Sequence, residues 1–255
     1  MEKQLNPLWL RGAVQNVEDM EKFERGFQLI RESLFDKGAT SCCTDNIITW
    51  NKSYSFLRDD FFLGILNDEN TKPIYKSIIW RIYILLYFSE IASKADGDYI
   101  EVGCYEGFTP LQIIKKLTFS NLNKRYFLYD LFQWGEGDRH DHLEGHNNPN
   151  MLEDVKKLFS GFDFVQIIKG HVPESFSLGF PDKIAFAHLD MGHQEADPAA
   201  LKILLPKLSK GGVVIINDYG WWGYSAHKNA YDRTIKENGL SVLELPTGQG
   251  LLIRP

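Results

Sequence analysis

Two apolar runs of the sequence end in side chains that could do chemistry. Ala187-His-Leu-Asp190-Met-Gly-His193 closes one run with a carboxylate followed by an imidazole, and Val213-Val-Ile-Ile-Asn217-Asp218-Tyr-Gly220 closes another with an amide beside a carboxylate. Asp190, Asn217 and Asp218 all offer side-chain oxygen, the donor that hard cations such as Mg²⁺ or Ca²⁺ take, so a divalent ion is one reading. The plainer one is that they cap helices or bond to loop backbone. His193 is a candidate general base, because a neutral imidazole titrates near working pH. More histidines stand in the polar stretch from Phe132 to Asn150, at His140, His142 and His146. Their spacing could suit a transition metal, but so long a connection reads better as a loop over a site, from which His140 or His142 could supply a base.

A ligand seat is written in Asp98-Tyr-Ile-Glu-Val-Gly103-Cys-Tyr-Glu-Gly107-Phe-Thr-Pro110. A β-rich run turns through glycines and enters a helical pattern near Thr109. The unpaired N–H groups and positive dipole end of that helix would favour an anionic ligand group, and glycine lets a ligand approach closely. Tyr105 stands where the dinucleotide fingerprint has its middle glycine, which disfavours a nicotinamide oxidoreductase. Tyr126-Phe-Leu-Tyr-Asp130 ends the next apolar run with a carboxylate suited to bridging two ribose hydroxyls, or to capping a turn. A third run leads into Lys169-Gly170-His171-Val-Pro-Glu-Ser175.

The elements that would hold these residues alternate. Strands are expected near 98–103, 125–130, 163–168, 183–190, 212–218, 240–245 and 249–254, with helices near 108–118, 150–159, 197–208 and 226–237. Such alternation predicts a mainly parallel sheet covered on both faces, with ligands beyond the carboxyl ends of the strands. The short link Pro246-Thr-Gly-Gln249 makes the last two strands an antiparallel hairpin at the edge. Upstream, apolar spacing predicts helices over Val17–Phe35 and Ile74–Ala95. Residues 38–71 are mixed, their aromatics Trp50, Tyr54, Phe56, Phe61 and Phe62 serving either as core or as the lining of a pocket. Residues 1–15 show no period and read as an arm whose Trp9 and Leu10 could dock on a second subunit.

The 255 residues, 44% hydrophobic and 24% charged, suffice for one large α/β domain with a helical appendage. A net charge of -6 without a basic stripe argues against nucleic acid as partner. Three cysteines without zinc-site spacing fit a reduced, cytoplasmic setting, and the N-terminus lacks the pattern of a signal peptide. The most apolar run, from Ile78 to Ile91, is too short and too polar to span a membrane.

In matching order, Glu101-Val-Gly-Cys-Tyr-Glu-Gly-Phe-Thr109, Tyr129-Asp-Leu-Phe132, Lys169-Gly-His-Val-Pro-Glu-Ser175, His188-Leu-Asp190, the segment from Leu205 to Gly220 and the closing Gly248-Gln-Gly-Leu-Leu-Ile253 resemble the macrocin O-methyltransferase family over about residues 97–254. The resemblance implies a Rossmann-like, doubly wound, seven-stranded sheet in residues 97–255, with residues 1–96 as a helical cap, lid or oligomerisation segment. It implies an S-adenosylmethionine-dependent O-methyltransferase of class I acting on a sugar hydroxyl of a small molecule, glycoside or polysaccharide precursor. By the same resemblance Glu101, Gly103, Tyr105, Gly107 and Thr109 surround the methionine part of the cofactor, Asp130 holds the ribose, and Gly170 with His171 lies near the adenine. Asp190, Asn217 and Asp218 would form a Mg²⁺ site, Asp190 also facing the cofactor. Two positions depart from the family pattern: Asn217 replaces a carboxylate and Gly192 replaces an aspartate that serves as base in some members. The proton acceptor then falls to His193, Asp190 or His142, and Trp221 and Trp222 would shape the acceptor pocket. An amine or phosphate-type acceptor, or a protein that keeps the fold and binds cofactor without turnover, are the alternatives.

Overall fold

The computed structural model describes residues 8–9, 17–34, 41–133 and 148–255. The chain divides into two compact units, Met1–Tyr83 and Ile84–Pro255.

In the first unit a short strand β1 (Leu8–Trp9) pairs in parallel with β2 (Ser41–Thr44), which forms an antiparallel hairpin with β3 (Ile47–Trp50). The backbone of Trp9 is therefore a sheet edge within the chain; Leu10 lies outside the described residues. Helix α1 (Met20–Ser33) starts at Asp19, whose side chain accepts from the Lys22 N–H. The aromatic segment left unplaced by periodicity holds a 3₁₀ turn at Ser55–Arg58 and helix α2 (Asp60–Asn67). Its rings are core: Phe56 stacks on Tyr83 at 4.3 Å and meets Trp80 at 4.5 Å and Phe62 at 5.4 Å. Trp50, by contrast, is half exposed.

The helix expected over Ile74–Ala95 is two: α3 (Pro73–Ser77) and α4 (Ile79–Ala92). Apolar spacing continues through the break, but the Ser77 carbonyl accepts from the Thr44 hydroxyl and Ile78 leaves helical geometry. A buried Arg81–Asp45 pair, Nη2 to Oδ1 at 2.8 Å with Nε at 2.8 Å from Oδ2, ties α4 to the hairpin turn.

The second unit is built on a seven-stranded sheet of β4 (Asp98–Val102), β5 (Tyr126–Asp130), β6 (Val165–Lys169), β7 (Ile184–Leu189), β8 (Leu208–Ile216), β9 (Leu243–Glu244) and β10 (Gly250–Ile253). Its order is β6-β5-β4-β7-β8-β10-β9, parallel except for β10 against both β8 and β9. Helices α5 (Phe108–Leu117), α6 (Met151–Leu158), α7 (Ala196–Leu204) and α8 (Ser225–Glu237) alternate with the strands. β8 begins four residues earlier than apolar content suggests: a 3₁₀ turn at Leu205–Lys207 leads straight into it, and the Arg254 guanidinium holds the Leu205 and Leu208 carbonyls at 3.0 and 2.7 Å.

Both sheet faces are buried, which is why the strands read as apolar runs rather than alternations. One face, with Ile100, Val102, Tyr129, Ala187, Leu189, Val214 and Ile216, packs on Ala200, Leu201 and Leu204 of α7 and Tyr231 and Ile235 of α8. The other carries Tyr99, whose ring meets Phe119, Tyr126 and Phe186 within 5.6 Å and whose hydroxyl donates to the Ser89 carbonyl of α4. Among the described residues no helix is long and apolar enough to cross a membrane.

Asp45→Ala strands a buried guanidinium, and we expect a loss of about 3–5 kcal/mol in urea denaturation. A second substitution, Arg81→Met, in that background should recover part of it.

Candidate active site

From β4 the chain builds outward through β5 to β6, then crosses to the other side of β4 for β7 and β8. The carboxyl ends of β4 and β7 therefore diverge into separate loops at the switch point, where open α/β sheets bind ligands.

On the β4 side Gly103, Tyr105 and Gly107 all have positive φ, at 88°, 48° and 78°. The glycines serve packing as much as ligand access. A Cβ on Gly103 would lie 2.6 Å from the Asp190 carbonyl carbon, and one on Gly107 would lie 2.6 Å from the Phe159 ring. Gly107 is also the N-cap of α5 and, having no side chain, gives the first turn no side-chain hydrogen bond of its own. Asp130, half-buried at the end of β5, accepts from the Tyr105 N–H at 2.7 Å and the Phe132 N–H at 2.8 Å. It thereby shapes the glycine turn from the end of the next strand. Gly170 donates its N–H to the Asp130 carbonyl at 3.0 Å, which brings the end of β6 and the exposed His171 to the same side. A glycine-led helix start, a carboxylate at the next strand end and a neighbouring turn fit a nucleoside cofactor with an anionic tail.

Glu101 differs from expectation. It is 1% exposed on the sheet face opposite α7 and α8, where it accepts from the Tyr126 hydroxyl at 2.8 Å and lies 3.2 Å from His188 Nδ1. Glu101 and His188 are register partners on β4 and β7. Burial pulls the His188 pKa down, yet the Glu101 carboxylate, with Asp190 and Asp218, more than offsets this and the net shift is upward. Burial and Glu101 together push the Tyr126 hydroxyl well up. The network was not singled out as a site from sequence; its available signal was one polar residue placed two before the turn in each of two otherwise apolar strands. Cys104, next to it, is a buried thiol whose pKa burial raises, chemistry suited to packing rather than attack.

On the β7 side Asp190 donates its N–H to the Val102 carbonyl at 2.8 Å, and Asn217 donates its own to Leu189 at 2.8 Å. Asp190, Asn217 and Asp218 do come together. The contact is made by nitrogen: Asn217 Nδ2 donates to Asp190 Oδ1 at 2.7 Å and lies 3.4 Å from Asp218 Oδ1. This donor set does not fit Mg²⁺, which needs the amide oxygen turned inward. Among the described residues no three His, Cys, Asp or Glu side chains gather as a metal site.

His193 is exposed, and its ring has structural work. Nδ1 accepts from the Glu195 and Ala196 N–H groups at 3.3 and 3.2 Å, which puts the neutral ring's proton on Nε2. The His193 N–H donates to Asp197 Oδ2 at 2.9 Å. Asp197 is almost completely buried, and that burial pushes its carboxyl up to about 7. Trp221 packs on Gly248 and donates to the Thr247 carbonyl at 3.2 Å, whereas Trp222 is 89% exposed beyond Asp218. His140, His142 and His146 lie outside the described residues.

The sheet keeps the nucleotide-binding order 3-2-1-4-5 counted from β4 and ends in an antiparallel hairpin, the Rossmann-like architecture of class I methyltransferases. Residues 100–219 match the family model described as "Methyltransferase domain". The solved O-methyltransferase NovP is 21% identical, with 69% of this chain and 80% of that chain aligned at a TM-score of 0.54. Calicheamicin methyltransferase CalS11 is 13% identical, with 97% of each chain aligned at 0.56. Its apo form, titled a TDP-rhamnose 3'-O-methyltransferase, is 16% identical, with 96% and 99% aligned at 0.55. At such identities these proteins share the fold. A search of curated proteins finds no match. Residues 100–219 are thus similar to a methyltransferase domain, set in a fold shared with solved O-methyltransferases.

The raised Asp197 carboxyl sets a pH dependence. Between about 3.8 and about 7 the folded state holds a proton that the unfolded state has released, so this group makes stability fall as pH rises through that window. Asp197→Asn keeps an acceptor for the His193 N–H, and denaturation at stepped pH should show the fall flattened.

Proposed function

We propose that the chain transfers the methyl group of S-adenosylmethionine to a hydroxyl oxygen of a sugar or sugar-bearing small molecule. The observation that carries this reading is the placement, on the two sides of the β4–β7 switch point, of the glycine-started helix α5 and the carboxylates of Asp190 and Asp218. The resemblance to macrocin O-methyltransferases and the TDP-rhamnose 3'-O-methyltransferase activity named for CalS11 support a sugar as acceptor.

S-adenosylmethionine, when bound, supplies an electrophilic methyl on a sulfonium. In this reading Gly103, Tyr105, Gly107 and Thr109 hold its amino-acid end, with Glu101 supporting the turn from beneath. Asp130 holds the ribose, and Gly170 and His171 flank the adenine. Asp190 and Asp218 orient the acceptor hydroxyl, which in-line transfer needs at a near-attack distance. Asp190 is the proton acceptor of first choice, because His193 would have to release its Nδ1 cap before its ring could take a proton; His142 is the further candidate. Trp222 offers the acceptor an exposed aromatic face.

Calorimetry with S-adenosylhomocysteine should show saturable binding, and its absence at millimolar ligand would sink the proposal. Against a panel of sugar, amine and phosphate acceptors, Asp190→Ala should lose about 10²–10⁴-fold in kcat, as for removal of a general base. His193→Ala should lose less than that while lowering stability. Cofactor binding without turnover on every acceptor would favour the scaffold alternative.

A further inference from the structure

Asn217 occupies the place between two carboxylates with a hydrogen-bond donor. Its Nδ2 is 2.7 Å from Asp190 Oδ1 and 3.4 Å from Asp218 Oδ1, while its own backbone N–H is held by the Leu189 carbonyl at 2.8 Å. The reverse orientation of the amide would press its oxygen against a carboxylate oxygen at the same 2.7 Å with no proton between them. The residue is 7% exposed at the end of a strand buried on both faces, so the donor comes from a rigid support.

A divalent ion draws carboxylates together by presenting positive charge to their oxygens at short range. An amide NH₂ has two hydrogens and can face two acceptors at once, doing the same ordering with partial charge. We propose that Asn217 is a built-in substitute for a cation: its amide orders Asp190 and Asp218, and the site works without a divalent ion. Asn217 is then a positioning residue, and this role rests on the reading that the two carboxylates face the acceptor.

Mn²⁺ is the probe, used with the full chain and read by calorimetry and by thermal shift, so that no acceptor is needed. Wild type should show no saturable Mn²⁺ binding in the millimolar range. Asn217→Asp, which turns the amide into a third carboxylate, should gain saturable Mn²⁺ binding in that range, since ligand charge sets cation affinity. Adding Asp190→Ala should abolish the gain. Where turnover is measurable, wild type should be indifferent to EDTA, and Asn217→Asp should become dependent on added metal.

Saturable Mn²⁺ binding by wild type that Asp190→Ala removes would overturn the inference. So would an Asn217→Asp chain that still binds S-adenosylhomocysteine yet gains no Mn²⁺ affinity. Should Asn217→Asp not fold, the comparison of wild type with Asp190→Ala still decides. Failure of wild type to bind S-adenosylhomocysteine would remove the methyltransferase reading while the Mn²⁺ result stood by itself.

Discussion

The meeting of β4 and β7 at their carboxyl ends is the constraint on which the rest of the site depends. The Asp190 N–H donates to the Val102 carbonyl, and the backbone of Asp190 then runs through the space where any residue but glycine at 103 would place a Cβ. That single close approach holds the ligand-facing turn and the first acidic side chain at a fixed separation. Everything specific to the site is hung on one side or other of it. The turn continues through Tyr105 to the start of α5, and Asp190 leads into the segment that His193 and Asp197 fasten to α7.

Charge below and above this contact is arranged on the same plan. Inside the sheet Glu101 lies against His188 and Tyr126, so the one carboxylate placed in an apolar face has both a hydroxyl donor and an imidazole beside it. At the strand ends Asp190 and Asp218 share an amide donor. In each case an acidic side chain lies against a donor that the sheet holds in place. Asp197 follows the other course open to a buried acid: with desolvation dominant, its neutral form is favoured up to near neutral pH.

The fold was legible because its strands are buried on both sides. Val213 to Ile216, Ile184 to Ala187 and Tyr126 to Tyr129 are continuous apolar runs, and alternation with helices then leaves little choice but a parallel sheet. The misses have local causes. The break at Ile78 comes from the Thr44 hydroxyl, far away in sequence, and the early start of β8 from Arg254 at the other end of the chain. Periodicity carries no trace of either. The aromatic segment from Tyr54 to Phe62 was legible as rings for a core but not as elements, because its short helical turns are set by packing of Phe56 and Phe62 on Trp80 and Tyr83.

Sequence alone determined which residues stand at the strand ends, since strand length and apolar content decide where each run stops. It thereby named Gly103, Asp130, Asp190, Asn217 and Asp218 as neighbours at one edge of the sheet. Which atom each of them turns toward the others was decided only in three dimensions. An asparagine is donor and acceptor at once, and only the fixed distance to Asp190 makes Asn217 a donor. A histidine has two nitrogens, and only the start of α7 commits His193 Nδ1 to two backbone amides. Glu101 belongs to a motif by position, yet the register of β4 on β7 turns its side chain inward to His188. Residue type and order are properties of the chain, whereas hydrogen-bond direction and burial belong to the packed sheet.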